Sequence, residues 1–268
     1  MPTNFKPGAN AVVFVGSGDL TEFFNDLTTT KETDALETTT FRKTARTYIP
    51  GLQDTTAKTG GLFDGDLDQV DERMDALFAD INGDEMSIGR QGDLAGSLAT
   101  MMQVYAVNYE PTANLDDATG ISLEFQSRGG SVTGRFLKAK GSQSVTAAGS
   151  PNTQQFDYPA AGGLDGGATG TPTATGWTAF LHAFRVPTAA GSILDVKLYD
   201  SADGTTWTLL TGGAFANVTT TKGSEMLRSA TTTATVRRYV LARVNITAPA
   251  GQTSVYDFVV TFARRRLS

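Results

Sequence analysis

Residues 19–65 read DLTEFFNDLTTTKETDALETTTFRKTARTYIPGLQDTTAKTGGLFDG, and this stretch predicts a β-rich fold. Threonine clusters occur at 28–30 and 38–40. β-Branched side chains are stiff at χ1 and pack well on a pleated surface, so both clusters favour strands. The polar, basic segment 41–52 follows and ends in a Pro50-Gly51 turn signal, after which a further strand is expected over 55–63.

One helix is predicted, over residues 66–81. Asp66 with Gln69 resembles a capping box, and Asn82-Gly83 is a stop signal. Apolar residues recur there at spacings of three and four, which places them on one helix face: Leu67, Val70, Met74, Leu77, Phe78 and Ile81.

The rest of the chain predicts more strands in two blocks. A segment rich in Gly, Ala, Ser, Thr and Pro, 141–176, is interpreted as a long loop or a linker. We therefore expect a core domain over 1–140 with an N-terminal arm, and a C-terminal outer β domain over 177–268. The fold class is mainly β with one principal α-helix, a β-sandwich or barrel followed by a second sandwich-like domain.

The composition of the chain excludes several classes of function. The 268 residues include 22 Lys+Arg and 28 Asp+Glu, a net charge of −6, which argues against general affinity for nucleic acid backbones. Cysteine is absent, which excludes thiol nucleophiles and Cys-based metal sites, and His182 is the one histidine. No apolar run is long enough for a membrane span, and the first residues lack the apolar region of a secretory signal. We expect neither an enzyme nor a cofactor.

Three motifs that could carry chemistry have simpler interpretations. Gly16-x-Gly18 follows an apolar run, but Thr21 stands where a dinucleotide fingerprint needs its third Gly, so a turn is expected. The acids at 64, 66 and 68 have calcium-loop spacing, but Gln69 replaces the required Gly, and the run at 80–84 fails similarly. Helix capping explains these acids better than a metal site.

Two further features are interpreted as structural or surface elements. His182 lies in the apolar run AFLHAFRV without a Gly-x-Ser-x-Gly elbow, so it is expected to be structural. Arg264-Arg265-Arg266 is expected to be a solvated or subunit-contacting tail.

The stretch 19–65 also resembles the major tail protein of long-tailed, non-contractile bacteriophages (siphophages). The resemblance is carried by ETTTF at 37–41, a basic loop at 42–48, IPGL at 49–52 and GLFDG at 61–65. Towards the C-terminus, SADGTTWTLL, RRYVLARVNIT and FVVTFARR are similar to the actinobacterial-phage branch of that family.

The resemblance implies a tail-tube-type fold whose subunits form stacked rings, understood to be hexameric. Inner sheets would join edge to edge around a channel that passes DNA without specific binding. The implied partners are further copies of the chain, the tape measure, the tail terminator and the tail tip. The implied location is the phage tail of the virion, after synthesis in the host bacterial cytoplasm.

Two sets of residues follow as site candidates. The loop 41–52 cannot supply a core but carries apolar anchors, which predicts an inter-subunit loop with Arg42, Lys43, Arg46, Tyr48, Ile49 and Leu52. Because DNA is an anion, carboxylates are expected on the channel wall. The candidates are Glu22, Glu32, Asp34, Glu37 and Glu124, each of which could instead pair with a nearby Arg or Lys.

Two alternatives stay open at this point. One is another β-rich virion protein, such as a head decoration or distal tail subunit. The other is a carbohydrate-binding module, suggested by Trp177, Trp207 and the C-terminal strands.

Overall fold

The structure is a computed structural model that describes residues 10–39, 45–63, 70–113, 119–159, 163–166 and 174–267. Within these ranges the chain is mainly β, with antiparallel sheets, one α-helix and a short 3-10 turn at Thr21–Phe23. The helix α1 is Val70–Ala79. The strands are β1 Val12–Val15, β2 Gly18–Asp19, β3 Phe24–Glu37, β4 Tyr48–Leu62, β5 Asp84–Gly89, β6 Leu98–Thr112, β7 Gly120–Ser127, β8 Val132–Lys138, β9 Ser142–Thr146, β10 Asn152–Tyr158, β11 Leu164–Asp165, β12 Thr178–Arg185, β13 Ile193–Ser201, β14 Thr208–Ala214, β15 Gly223–Arg228, β16 Tyr239–Ala248 and β17 Thr253–Ala263. The predicted fold class is confirmed.

The chain divides into two compact units. Unit 1 comprises the described residues of 10–21, 85–101 and 132–267, and unit 2 comprises those of 22–84 and 102–131. This division differs from the expected boundaries at 140 and 177. Strand β17 pairs with β8 and β9 as well as with β12, so strands on both sides of those boundaries share a sheet. The range expected to be a linker contains β9, β10 and β11.

Unit 1 contains a β-sandwich. One sheet includes β15, β12, β17 and β8 in that order, and the other has the order β10-β16-β13-β14, with β11 on β16. Inward side chains of both sheets form one core, in which Trp177 stacks on Phe262 with ring centroids 6.1 Å apart. Apolar residues at alternate positions of β13, such as Leu194, Val196 and Leu198, are fully buried there.

Unit 2 is built on four antiparallel strands in the order β3-β4-β7-β6. Ala57, Leu123 and Phe125 are buried side chains of its sheet. Helix α1 buries Met74 and Leu77, and Tyr109 Oη of β6 donates a hydrogen bond of 2.5 Å to Asp71 Oδ1. This bond ties the first turn of the helix to the sheet.

The expected apolar helix face is only partly correct. Residues 64–69 lie outside the described residues, and the helix ends at Ala79, earlier than expected. Ile81 is 89% exposed and Phe78 is 46% exposed. Ile81 is exposed because it lies in a turn beyond the end of the helix, where the Asn82 amide donates to Asp80 Oδ1 at 2.8 Å.

The expected Pro50-Gly51 turn is wrong, because both residues lie inside β4. Thr33 pairs with Gln53 but Ala35 pairs with Pro50, so β4 carries one extra residue there as a bulge. A Cβ at Gly51 would lie 2.9 Å from the Asp34 Cβ, which explains the glycine. Proline is compatible with this part of β4 because the strand pairs there with β3 alone.

Candidate assembly surface

The outer half of the β3–β4 hairpin extends past the other strands of unit 2. Strand β7 pairs with β4 from Leu62 back to Thr56, which is opposite Gln126. Beyond that point the Thr55 amide still donates to Ser127 Oγ at 3.1 Å, and the Gln126 side chain donates to Asp54. Residues 33–37 and 48–53 form strand pairs only with each other, and we call this two-stranded segment the hairpin overhang. An isolated two-stranded ribbon is marginally stable in water, so the overhang needs a covering partner to be well ordered.

The overhang exposes four large apolar side chains. Leu36 and Ile49 are directly opposite each other in the register and are 54% and 50% exposed. Tyr48 is 53% exposed and Leu52 is 82% exposed. Such a concentration of exposed apolar side chains on a narrow ribbon is typical of a protein–protein contact surface.

Three of the six predicted inter-subunit residues lie on this segment. Tyr48, Ile49 and Leu52 are on the overhang and Arg46 is exposed just before it, whereas Arg42 and Lys43 lie outside the described residues. Leu36 was missed, because only the register reveals that it is the partner of Ile49.

Strand β3 also leaves an open sheet edge. Among the described strands it pairs with β4 alone, over almost its whole length of 14 residues. Its side chains are mostly exposed, and its outer edge presents backbone N–H and C=O groups that can pair with another strand.

Two of the five predicted channel acids come together on one face of the unit 2 sheet. Glu32 is opposite Asp54, and Glu124 is opposite Lys58, with 3.0 Å between Glu124 Oε2 and Lys58 Nζ. With Thr30 and Thr56 these residues line a shallow concavity of about 220 Å³. We call Glu32, Asp54 and Glu124 the acid face; Asp54, which accepts from the Thr55 amide at 2.7 Å, was not predicted.

The other three predicted acids do not line this concavity. Asp34 is opposite the β4 bulge, and Glu37 is opposite Tyr48 near the end of the hairpin. Glu22 lies in the 3-10 turn that precedes β3. All three are exposed.

His182 is a structural residue, as expected. It is fully buried; its Nδ1 lies 2.9 Å from the Gly16 carbonyl oxygen and its Nε2 lies 2.9 Å from Ser87 Oγ. A carbonyl can only accept, so Nδ1 carries the proton and Nε2 accepts from the Ser87 hydroxyl. Burial lowers the pKa of His182 to about 4, although the bond to Gly16 opposes the shift. Because Ser87 is also fully buried, this Ser–His pair has no access to substrate.

The burial of His182 predicts acid-sensitive stability. The folded-state pKa of about 4 lies below the ordinary value of 6.5. Between these pH values His182 is protonated in the unfolded chain but neutral in the folded chain, so stability is lost as the pH falls from about 6.5 to about 4. The full effect is about 3 kcal/mol. Urea unfolding at several pH values should show a shallower pH dependence in His182→Gln than in the wild type, and equal slopes would contradict the assignment.

The expected solvated arginine tail is wrong for two of its residues. The Arg264 guanidinium donates to the carbonyl oxygens of Val236, Arg237 and Arg238, and burial lowers its pKa. Arg266 Nε donates to the Ser229 carbonyl at 2.9 Å. These two guanidinium groups hold loops of unit 1 in place, because each has five N–H donors that can bond to backbone carbonyl oxygens.

The remaining chemical candidates find no support in the described residues. Gly16 forms the turn between β1 and β2, with φ of 56°. No three His, Asp or Glu side chains of the described ranges could hold a metal ion, and none of the chain described is a helix that could cross a membrane. Trp177 is buried, so its ring is no open platform for a sugar, and Trp207 is half-buried against Gly163.

Comparison with known proteins yields structural likenesses at low identity. No family model and no curated protein matches the chain. A chain of the native gene transfer agent virion is 13% identical, with a TM-score of 0.42, over 48% of this chain and 98% of that one. A chain from the tail of the empty gene transfer agent particle, refined with C6 symmetry, is 13% identical, with a TM-score of 0.40, over 47% of this chain and 97% of that one. The Dit protein of phage SPP1 is 9% identical, with a TM-score of 0.34, over 93% of this chain and 98% of that one. With TM-scores below 0.5, these likenesses do not assign the chain to a family.

Proposed function

We propose that this chain is a structural virion protein, a subunit that polymerises as stacked rings into a phage tail tube. The tube would form the channel through which DNA is ejected into the host. The observation that carries the proposal is the hairpin overhang, with its four exposed apolar side chains beside the open edge of β3.

These features are costly in a protein that works as a monomer. An open, long edge strand invites pairing with other chains, and proteins that stay monomeric blunt such edges. Here the edge is 14 residues long and rich in threonine. A second copy that adds its own strand to β3 would satisfy the backbone groups along this edge, so the edge suits ring closure.

The overhang suits stacking between rings. It extends beyond the four-stranded sheet, and its exposed leucine and isoleucine side chains can be buried only on another surface. Burial of a Leu or Ile side chain contributes about 1.5–3 kcal/mol, so a few such contacts per subunit would stabilise the assembly. Repetition around a ring multiplies this contribution.

The acid face suits the channel wall. Glu32, Asp54 and Glu124 lie on the outward side of the sheet, and Lys58 is the one basic residue that lines the same concavity. Six copies of a subunit with a net charge of −6 bring 36 net negative charges to each ring. Of that charge, the three acids of the acid face with Lys58 would give the wall a net −2 per subunit, which repels phosphates, so DNA would slide through without binding.

The remaining parts of the proposal follow from the tail-tube assignment. The partners are further copies of the chain, the tape measure, the tail terminator and the tail tip. The site of action is the tail of the virion, and synthesis takes place in the host cytoplasm.

Electron microscopy of the purified protein tests the proposal. At high concentration, or with a tail-tip complex as nucleus, negative-stain images should show rings or hollow tubes. A protein that stays monomeric under every nucleating condition, its own tail tip included, would contradict the proposed function.

A further inference from the structure

We propose that residues 1–9, the N-terminal segment, dock on unit 1 of the same copy, with the Phe5 side chain in a cavity between β11 and the β6–β8 pair. We call this space the leucine cavity, because Leu98 of β6 and Leu164 of β11 lie on its wall. The inference concerns the free subunit, so it does not depend on tube formation.

The leucine cavity is open and has apolar side chains on its wall. Its volume is about 140 Å³, and Phe262, which is 3% exposed, forms part of the wall. Leu98 is 48% exposed, and Leu94, four residues earlier in the chain, is 64% exposed. Two exposed leucines beside a cavity indicate a contact site for an apolar side chain.

The segment that carries the two leucines is held in place by backbone hydrogen bonds. The Ser97 amide donates to the Leu94 carbonyl oxygen at 2.8 Å and closes a turn. The Gly96 amide donates to the Phe136 carbonyl oxygen at 2.8 Å, and the Phe136 amide donates to the Ser97 carbonyl oxygen at 3.0 Å. A surface that is already ordered loses little conformational entropy when it binds.

The charged side chains on the cavity wall have partners within unit 1. Arg135 Nη1 donates to the Gly96 carbonyl oxygen, and the Arg264 guanidinium donates to three carbonyl oxygens, as described above. Asp165 accepts two hydrogen bonds from the Arg238 guanidinium, at 3.0 and 2.7 Å. Because these groups are bonded within the subunit, the cavity favours an apolar occupant over an ion.

The N-terminal segment joins the described chain beside this cavity. A Cβ at Gly92 would lie 3.5 Å from the Asn10 carbonyl oxygen. The turn at 94–97 limits the path from Gly92 to Leu98 to at most about 18 Å. The five residue steps from Asn10 back to Phe5 span about 16–18 Å when extended, so the Phe5 ring can reach the cavity.

Composition separates the N-terminal segment from the other undescribed segments next to unit 1. Residues 160–162 are Ala-Ala-Gly, and residues 167–173 are Gly-Ala-Thr-Gly-Thr-Pro-Thr, so neither has a large apolar side chain. The N-terminal segment has Met1 and Phe5. Its covalent connection to unit 1 gives Phe5 an effective concentration on the order of millimolar, which favours the same copy over a second copy in dilute solution.

Disulfide formation in the free subunit tests the docking, because the chain has no cysteine. The test variant carries Asn4→Cys and Thr133→Cys, since Thr133 is exposed on the cavity wall and Phe5 stays in place. The matched control carries Asn4→Cys and Leu209→Cys, because Leu209 is exposed on β14, a strand of the other sheet. Under mild oxidation the test variant should form an intrachain disulfide roughly tenfold faster than the control, measured by mass spectrometry and on a non-reducing gel.

A substitution of Phe5 gives an independent readout. Phe5→Ser, added to the test variant, should slow the intrachain disulfide roughly tenfold, because it removes the apolar side chain that enters the cavity. Thr3→Ser, added in the same way, should leave the rate unchanged. Circular dichroism would verify that each variant is folded.

Three results would overturn the docking. An intrachain disulfide that forms equally fast with Phe5→Ser would show that Phe5 does not enter the cavity. Disulfide-linked dimers in place of the intrachain bond would show that the N-terminal segment binds a second copy. A test variant that forms no disulfide faster than its control would show that the segment does not reach Thr133. Each of these results leaves the proposed function untouched, because tube formation is measured separately.

Discussion

Replacing Leu36 and Ile49 together by serine should abolish tube formation and leave the subunit folded. The two residues face each other across the overhang and are each about half exposed. They are absent from the buried cores of both units, so the loss of their apolar surface should cost the monomer little. Between copies, each lost contact costs about 1.5–3 kcal/mol, and every subunit of the tube loses it.

The measurement is sedimentation of assembled material from a concentration series, with negative-stain images of each pellet. Leu209→Ser, on the exposed side of β14, is the matched control and should assemble like the wild type. If the double variant assembles normally, the overhang is not the contact surface. If instead it loses its folded circular dichroism spectrum, the pair belongs to the core of the subunit.

Trp177→Ala should destabilise the subunit by about 3–5 kcal/mol, as truncation of a buried tryptophan does. Trp177 is 1% exposed, packs in the sandwich core of unit 1 and stacks on Phe262. The cavity that remains cannot collapse easily, because the surrounding side chains belong to paired strands. The melting temperature should fall by roughly 10 °C.

Thermal and urea unfolding followed by circular dichroism would measure this loss. Trp207→Ala is the control, because Trp207 is only half-buried and should cost less than half as much. Equal losses for the two variants would contradict the account of the core. Equal losses would also indicate that the Trp177 ring is accessible at the surface, as sugar binding at this residue would require.

Local sequence patterns predicted the element types well. The Thr cluster at 28–30 lies in β3 as predicted, and the spacing of Met74 and Leu77 identified the helix α1. These predictions succeed because strand and helix periodicity depend on residues close together in the chain. The cluster at 38–40 is not a strand in the part that the structure describes, because β3 ends at Glu37. The exposure of Ile81 was missed because it depends on the turn at Asp80, which ends the helix.

Predictions failed where pairing between distant residues decides the structure. Pro50-Gly51 has the composition of a turn, but a bulge opposite Asp34 accommodates both residues inside β4. The division into units was missed for the same reason, since no local pattern shows that β17 pairs with β8.

Buried charge was equally invisible in the sequence. Lys138 is 5% exposed and donates to the carbonyl oxygens of Ala139, Gly141 and Phe258. Its ammonium lies 4.1 Å from the centroid of the Phe258 ring, and burial lowers its pKa to about 8. A lysine at the end of a strand is normally solvated, and only the loop around Gly141 explains why this one is not.

The candidate surface was half predictable. Tyr48, Ile49 and Leu52 stood out as apolar residues in a basic segment, whereas Leu36 and Asp54 required the β3–β4 register. Of the predicted acids, Glu32 and Glu124 share the acid face because β4 lies between their strands and pairs with both. The separation of Glu32 and Glu124 along the sequence does not show that their strands both pair with β4.

A reconstructed map of the assembled tube tests the central claim most directly. We expect stacked rings in which β3 pairs along its free edge with a strand of a neighbouring copy. We also expect Glu32, Asp54 and Glu124 to line a lumen with net negative charge. A tube whose lumen is net positive, or in which the β3 edge faces solvent, would contradict the account.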